Sequence, residues 1–420
     1  MNIITSKDKQ EIEKIKQRSK ENLELALNKV KPIIKDVKTF KDKSLINYSK
    51  KFDSAELTKS QIQVSKQEIE KAYKKVDKNI IKAIKQAKET IKQCAELQLP
   101  KEWKKQIRKG ITVGQLIRPL DSVGCYVPGG NFPLPSTALM TVIPAKVAGV
   151  KEIIVCTPPK ENIDTIIVAA DIAGADKIFR VGGAQAIAAM AYGTETIPKV
   201  NKIVGPGNIF VTAAKKLVYG DVGLDFLAGP SEIMIFAEQG DEKIIAADLI
   251  SQAEHDVLAS SILVTTNKEL AEKVKDEVKS QLNNLSTSTI ASKSINTYGA
   301  IIIADNIDQA FDLINDFAPE HLEIISDDQE LLKKVNNAGA IFLGPYSAEA
   351  VGDYAINNHV LPTGQFAKSR AGLSTLDFIK TPSFQHLTKE ALNSLKETIT
   401  TIAKTEGLDA HRKSIEVRFK

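Results

Sequence analysis

Cysteine is scarce in this chain: among its 420 residues only Cys94, Cys125 and Cys156 occur. An odd number of cysteines without Cys-x-x-Cys spacing argues against a disulfide framework and against a thiolate zinc site, and suits a reducing cytosol. The chain also lacks the run of about 18 apolar residues that a membrane-spanning helix needs. Its start, Met1 to Gln17, has no apolar core and is unlike a signal peptide. We therefore expect a cytoplasmic protein without a membrane partner.

Positive charge is concentrated at one end of the chain. Residues 1–110 hold 29 Lys and Arg against 15 Asp and Glu, whereas the remaining residues hold 28 against 37. The basic residues alternate with acidic ones at helical spacing, as in Glu11, Glu13, Lys14 and Lys16, and no aromatic residue is interleaved in that stretch. Solvated helix faces explain this pattern, so we expect no nucleic-acid partner.

The sequence pattern changes near Val123. Before it, apolar residues recur three, four or seven apart, as in Ile69, Val76, Ile80 and Ile84, which predicts helices. After it, helical segments alternate with short apolar runs, which predict strands at 123–127, 152–156, 178–181, 202–204, 232–237, 260–265, 299–303, 322–325 and 340–343. Such alternation is typical of parallel sheets covered on both faces. We predict an α/β fold of two Rossmann-like doubly wound parallel-sheet domains, with a helical N-terminal segment and a helical C-terminal tail.

Four of the five histidines lie near acidic or amide residues, and only His386 has no acidic neighbour. Imidazole, carboxylate and amide groups are what catalytic zinc sites and acid–base pairs are built from. Gln252 and His255 are three apart at a predicted helix end, so both side chains can reach one metal ion from one face. A solvated polar face is the more common explanation of that spacing taken alone.

Glu320-His321 lies between a predicted helix, Ile307–Phe317, and a strand. We expect this loop at the carboxyl edge of the sheet, where α/β proteins bind ligands. An adjacent carboxylic acid and imidazole can divide proton transfer between water and an alcohol. The alternative is a surface glutamate beside a histidine that only begins a strand.

Three further segments carry candidate residues. Asp353 lies in a glycine-flanked turn, His359 in a second polar turn, and Glu406 and His411 on the tail helix, five residues apart. A turn-forming aspartate or a metal ligand both fit Asp353. Each residue taken singly is more often structural, whereas their clustering in turns and at element ends favours a site.

Glycine turns follow three predicted strands, although no Gly-x-Gly-x-x-Gly motif occurs. They are Gly129-Gly130, Gly182-Gly183 and the segment from Gly205 to Asn208. Each leaves backbone N–H groups free at a helix start, where a phosphate can bind. A single glycine turn can also serve only to end a strand, without binding a ligand. Three at the same edge of one sheet indicate a nucleotide cleft.

Long motifs in the same order make the chain resemble the histidinol dehydrogenase family from about residue 30 to residue 415. The motifs are residues 123–130, 181–186, 205–208, 228–232, 251–255, 318–322, 358–363 and 372–374. The resemblance implies a zinc-dependent, NAD-linked enzyme that oxidises L-histidinol to L-histidine through bound L-histidinaldehyde, in histidine biosynthesis. It also implies a homodimer with shared active sites.

The resemblance assigns roles to particular residues. Glu320 and His321 would be catalytic, and the zinc ligands would be Gln252, His255, Asp353 and His411. The residues that bind substrate would be these six together with Ser231, His359 and Glu406. The residues that bind NAD would be Tyr126, Gln185 and Asn208.

The resemblance also implies domain boundaries. Residues 1–20 would form an N-terminal helical arm, and 123–230 an NAD-binding α/β domain. Residues 21–122 and 231–376 would together form a discontinuous α/β domain that carries the catalytic and zinc residues. Residues 377–420 would be a helical tail that reaches the partner subunit.

The chain departs from the family's pattern between Asp353 and His359. This segment is one residue shorter than usual, and Ile356-Asn357 stands where the family has a glycine. Two other functions remain open. One is an NAD-dependent dehydrogenase of another small polar alcohol, and the other is a zinc protein without redox activity, such as a hydrolase.

Overall fold

The computed structural model describes residues 1–18, 20–129, 133–227 and 229–419. They group into two units. The larger comprises Met1–Gln98 and Leu120–Phe378, and the smaller comprises Leu99–Pro119 and Ile379–Lys420. Gly130 of the first glycine turn and Ala228 of the motif 228–232 lie outside the described residues.

The chain begins with a strand rather than a helix. Strand β1 (Asn2–Thr5) pairs in parallel with residues Ala300–Ile303 at one edge of a sheet, and helix α1 (Lys9–Gln17) follows it. The predicted helical N-terminal segment is present, beginning with α1, and β1 is an additional strand that was not predicted, because an available sheet edge supplies hydrogen bonds that local propensity does not foresee. The next elements are α2 (Lys20–Phe40), α3 (Asp42–Asp53), α4 (Lys59–Ile62), α5 (Lys66–Lys75), α6 (Lys78–Leu97), β2 (Trp103–Arg108), β3 (Ile111–Gln115) and β4 (Arg118–Pro119).

A five-stranded parallel sheet occupies the middle of the chain. Its elements are β5 (Ser122–Tyr126), α7 (Pro135–Val147), β6 (Glu152–Thr157), α8 (Asp164–Ala173), β7 (Lys177–Arg180), α9 (Gly183–Tyr192), β8 (Lys202–Val204), α10 (Ile209–Val218) and β9 (Gly223–Leu224). The strands lie in the order β7-β6-β5-β8-β9. Counted from β5 this is 3-2-1-4-5, the doubly wound order of Rossmann folds, with its switch point between β5 and β8.

A six-stranded parallel sheet follows. Its elements are β10 (Glu232–Phe236), α11 (Glu242–Ala253), β11 (Ser260–Thr265), α12 (Lys268–Leu282), α13 (Ser288–Tyr298), β12 (Ala300–Ile303), α14 (Ile307–Phe317), β13 (His321–Ile324), β14 (Ala340–Leu343) and α15 (Glu349–Tyr354). The order β1-β12-β11-β10-β13-β14 repeats the 3-2-1-4-5 arrangement, with β1 added at the edge. The prediction of two doubly wound sheets is confirmed.

Both faces of this second sheet are buried, as its continuous apolar strands require. Ile233 and Ile235 pack in a core with α11, α12 and α13. Phe236 packs on the opposite face with α14 and with Ile12 and Ile15 of α1. The N-terminal arm is thus anchored to the sheet by an apolar face as well as by β1.

The smaller unit contains strands as well as helices. Its later elements are β15 (Ile379–Lys380), β16 (Ser383–Leu387), α16 (Lys389–Thr405) and α17 (Asp409–Glu416). The predicted helical tail is present as α16 and α17. Before it, strand β16 pairs with β3, and β3 with β2, all antiparallel, and these strands were not predicted from the sequence. Short 3-10 helices occur in the larger unit at Gln329–Lys334, Phe366–Lys368 and Thr375–Phe378, and in the smaller unit at Val417–Phe419. Within the described residues, no helix combines the length and apolarity needed to cross a membrane.

Candidate active site

Glu320 and His321 lie at the amino end of β13, beside the amino end of β10. The expectation that they lie at the carboxyl edge was wrong. In an α/β unit the helix runs back against the strands, so the loop from a helix into the next strand lies at the strand's amino end. The site therefore occupies the edge of this sheet opposite to that at which Rossmann folds usually bind ligands.

The backbone of Glu232 holds both members of the pair. Its N–H donates to Oε2 of Glu320 over 2.9 Å, and its carbonyl oxygen lies 3.1 Å from Nδ1 of His321. Because a carbonyl can only accept, this contact keeps the imidazole proton on Nδ1 and leaves Nε2 free. Burial raises the pKa of Glu320 well above its usual value, and burial lowers the pKa of His321 to about 3.

Gln252 and His255 lie where α11 ends, as the spacing predicted. Gln252 is fully buried, and neither atom of its side-chain amide has a hydrogen-bond partner among the described residues. His255 follows the helix and keeps 38% of its side chain exposed. A buried amide without partners costs about 1–3 kcal/mol, so this arrangement points to a ligand that would satisfy it.

Asp353 lies on the short helix α15 rather than in a turn, and it is buried. Its Oδ2 atom lies 3.7 Å from Nε2 of His255. One ligand atom each from His255, Glu349 and Asp353 lie within 4.8 Å of one another. Tetrahedral zinc with N and O ligands at about 2.1 Å places its ligand atoms ~3.4 Å apart. These three side chains therefore offer ligand atoms that could hold one metal ion.

Three carboxylates in or beside this cluster were not predicted from the sequence. They belong to Glu349 of the cluster, to the buried Glu323 and to the half-buried Asp248, and each has a buried oxygen without a hydrogen-bond partner among the described residues. Burial is the main cause that raises the pKa of all three carboxyls. Carboxylates packed in this way must share protons or a cation. The available signal was spacing, because Asp248 and Glu349 lie four residues before Gln252 and Asp353 and thus on the same helix faces.

The segment 353–359, which is one residue shorter than is usual in the family, still places His359 next to Asp353. Nδ1 of His359 lies 2.8 Å from the carbonyl oxygen of Asp353, and its Nε2 lies 3.4 Å from the hydroxyl oxygen of Thr137. Asn357 adopts a φ of 62°, a left-handed conformation that glycine favours and asparagine tolerates. The side chain of Asn358 donates to the carbonyl of Met140 over 2.6 Å and fastens the segment to α7.

The remaining predicted residues lie in two places. Ser231 is partly exposed and immediately precedes Glu232 in the larger unit. Glu406 and His411 are exposed and belong to the smaller unit. They are not on one helix, because Glu406 caps the end of α16, and α17 begins only at Asp409.

The residues predicted to meet NAD lie at the carboxyl edge of the five-stranded sheet. Tyr126 ends β5, Gln185 lies in the first turn of α9, and Asn208 caps α10. Tyr126 is buried, and its hydroxyl accepts a hydrogen bond from the N–H of Gly183 over 3.0 Å. A Cβ on Gly205, whose φ is +112°, would collide with the carbonyl oxygen of Tyr126. The turn after β8 is therefore packed closely against the end of β5, at the switch point.

Comparison with known proteins identifies the family of this chain. The family model for histidinol dehydrogenase matches residues 16–419. The chain belongs to the histidinol dehydrogenase family. It is 51% identical to the histidinol dehydrogenase of Clostridium acetobutylicum over 410 residues, which are 96% of this chain and 94% of that protein. It is 46% identical to the histidinol dehydrogenase of Methanothermobacter thermautotrophicus over 423 residues, 99% of each chain.

A solved histidinol dehydrogenase has the same fold. The crystal structure of the enzyme from Elizabethkingia anophelis matches with a TM-score of 0.90 at 40% identity, over 93% of this chain and 92% of that one. As a member of the histidinol dehydrogenase family, the protein is an oxidoreductase, and the family and fold class predicted from the sequence are both confirmed.

Proposed function

We propose that the protein oxidises L-histidinol to L-histidine in two NAD-linked steps, through bound L-histidinaldehyde. The observation that carries this proposal is the position of the Glu320–His321 pair next to a cluster of metal-ligating side chains, in a chain of this family. Nε2 of His321 lies 3.8 Å from Oε1 of Glu349, and Glu349 belongs to the cluster. A general base and a cation site are thus adjacent.

We propose that Gln252, His255 and Asp353 hold zinc, together with the partner subunit's His411. The unpartnered amide of buried Gln252 and the nearby nitrogen and carboxylate oxygens fit such an ion. Bound zinc would supply positive charge that orients the imidazole and amine of the substrate and favours the charged forms of nearby carboxylates.

In the first step the alcohol must lose a proton and a hydride. His321 is suited to take the proton, because its pKa is lowered by burial and the ring is therefore neutral at physiological pH. The contact between Nδ1 and the Glu232 carbonyl keeps Nε2 unprotonated and fixes the plane of the ring. Nε2 is thus the atom that receives the alcohol proton.

In the second step water adds to the aldehyde, and the hydrate loses a second hydride and a proton. Glu320 is the group suited to take a proton from this water when its carboxyl is ionised. The N–H of Glu232 donates to the Oε2 atom of Glu320 and therefore stabilises the ionised form. One backbone residue thus orients the bases for both steps.

Bound NAD would accept the hydride in each step. The turns at Tyr126 and Asn208 fit a dinucleotide because they flank the switch point of the five-stranded sheet, on its carboxyl edge. Gln185 lies in the first turn of the helix after the edge strand β7, and the bond from Gly183 to Tyr126 joins that turn to the end of β5. The hydroxyl of Tyr126 accepts a hydrogen bond from Gly183 at the start of α9. Tyr126 would therefore both contact the NAD and hold this turn in position.

We propose a homodimer with shared active sites, in which each substrate meets Ser231 and His359 of one subunit and the partner subunit's Glu406. Glu406 and His411 are exposed, as residues that serve a second subunit must be before assembly. We place the enzyme in the cytoplasm, where its three cysteines, which form no disulfide, remain reduced.

The decisive measurement is the number of NADH molecules formed per L-histidinol consumed, with and without a chelator. We expect two NADH per histidinol, loss of activity on chelation, and recovery with zinc. One NADH with release of free aldehyde would contradict the second step. No NADH from histidinol would instead favour a dehydrogenase of another small polar alcohol, which a substrate panel would identify.

A further inference from the structure

Arg18, at the end of the N-terminal arm, is buried against the site. It forms an ion pair of 2.8 Å with Glu232, and the two side chains are only 2% and 1% exposed. Its remaining donors reach the backbone carbonyls of Ile15, Pro230, Ser231 and Leu258. One guanidinium therefore ties the arm to the segment that enters β10 and to the loop after α11.

Glu232 links this arginine to the Glu320–His321 pair. Its N–H donates to Glu320, and its carbonyl oxygen contacts Nδ1 of His321. The second carboxylate oxygen of Glu232 accepts from the N–H of Gly364 over 3.0 Å. Every polar group of Glu232 is thus engaged, and the charge that neutralises its carboxylate comes from the arm.

Attachment of the arm does not require this charge. The arm is already held by the pairing of β1 with β12, by the apolar contacts of Ile12 and Ile15, and by an ion pair between Lys16 and Asp316. A buried ion pair adds little to stability when its desolvation is counted. The Arg18–Glu232 ion pair therefore matters more for geometry than for stability, because it immobilises Glu232, whose backbone orients Glu320 and His321.

We propose that Arg18 is a positioning residue for the Glu320–His321 pair, acting through Glu232. The inference rests on the proposed catalytic roles of Glu320 and His321. It gives the N-terminal arm a part in the reaction, since the arm would hold the first residue of β10 at the place where its N–H and carbonyl meet the two bases. Displacement of a base by about 1 Å can lower a rate about 10²-fold.

The test compares Arg18→Met, Arg18→Lys and the control Lys16→Met in the full-length enzyme. Lys16 lies on the same arm, and its buried side chain pairs with the exposed carboxylate of Asp316, but no contact of Lys16 with Glu232, Glu320 or His321 appears among the described residues. For each variant, kcat and KM would be measured with histidinol and with histidinaldehyde, and the thermal midpoint would be recorded.

We expect Arg18→Met to lower kcat for both substrates about 10²-fold with little change in the KM for histidinol. Arg18→Lys, which keeps the charge, should recover about tenfold of this loss. Lys16→Met should lower the thermal midpoint but leave kcat unchanged. If Arg18→Met has the kcat of the wild type, or if Lys16→Met loses as much, the inference is wrong.

An unpaired Glu232 carboxylate could prevent Arg18→Met from folding. The double variant Arg18→Met/Glu232→Gln avoids this, because it buries no unpaired charge and retains an acceptor for Gly364. It should show the same loss in kcat, and wild-type kcat in this variant would overturn the inference. Glu320→Gln and His321→Asn are measured in parallel. If they lose activity and the Arg18 variants do not, only the positioning role fails, whereas full activity in those two would overturn the catalytic roles themselves.

Discussion

Nδ1 of His321 lies 3.1 Å from the carbonyl oxygen of Glu232, and the Nε2 atom of the same ring is buried without a hydrogen-bond partner among the described residues. Nδ1 is hydrogen-bonded to the backbone of the neighbouring strand β10, and Nε2 is left available to accept a proton. This asymmetry is what a general base needs, because it selects the tautomer before the substrate binds.

Replacement of His321 by asparagine should slow both oxidation steps. The amide can still contact the Glu232 carbonyl but cannot accept a proton from the alcohol, so kcat should fall about 10²–10⁴-fold for histidinol. Steady-state rates with histidinol and histidinaldehyde would measure this. His386→Asn, on the exposed strand β16, serves as the matched control and should retain activity. Equal activity of the two variants would exclude His321 as the base.

Glu320→Gln should mainly slow the oxidation of the aldehyde. Glutamine keeps the contact with the N–H of Glu232 but cannot take a proton from water. We expect histidinaldehyde to accumulate or be released, with close to one NADH formed in a single turnover. Rapid-quench product analysis would detect it. An equal loss in both steps would contradict the division of labour between the two bases.

Gln252→Leu should weaken metal binding at least tenfold, so that the variant loses its metal to a competing chelator, because it removes the buried amide that has no other partner among the described residues. The neighbouring variant Glu254→Gln is the control, since Glu254 is bonded to the hydroxyl of Thr287 instead. Zinc content after dialysis against a competing chelator gives the readout for both variants. Retention of zinc by Gln252→Leu would remove this residue from the ligand set.

Shared active sites predict complementation between two inactive variants. His411→Asn and Gln252→Leu homodimers should each lack metal and activity. If His411 serves the partner's site, a mixed dimer contains one site with both changes and one with neither, so up to half of the wild-type activity per heterodimer should return. Mixing after mild dissociation, followed by assay, tests this. Absence of any recovery in a verified heterodimer would place His411 in the site of its own subunit.

The pH dependence of stability should report the burial of His321. The unfolded chain binds this proton near pH 6.5, whereas burial lowers the folded pKa to about 3. The contribution of His321 to the free energy of unfolding must therefore fall as pH drops through that window, by about 2 kcal/mol between about pH 7 and about pH 5, whereas the buried carboxyls with raised pKa values contribute in the opposite direction. In metal-free protein, urea midpoints at both pH values should therefore show that lowering the pH changes the stability of the wild type less favourably than that of His321→Asn. An identical change in both proteins would contradict the lowered pKa.

Much of the fold could be predicted from the sequence because its evidence is local. The nine predicted strands all appear within a residue or two of their expected bounds. A short apolar run between glycine and proline turns seldom forms anything other than a buried strand. The strand Asn2–Thr5 could not be predicted in this way. Four residues carry little periodicity, and their pairing with Ala300–Ile303 depends on a sheet edge formed almost 300 residues later.

Motifs and periodicity are local properties of the chain, and they were enough to predict the family, the two doubly wound sheets and the residue types of the candidate site. The position of Glu320 and His321 at the amino edge of the sheet became clear from the three-dimensional fold, since it depends on the helix before them running against the strands. The fold alone brought Glu349 beside His255 and Arg18 beside Glu232. Contacts between such distant segments are set by how the helices pack on the sheets, which no local pattern records.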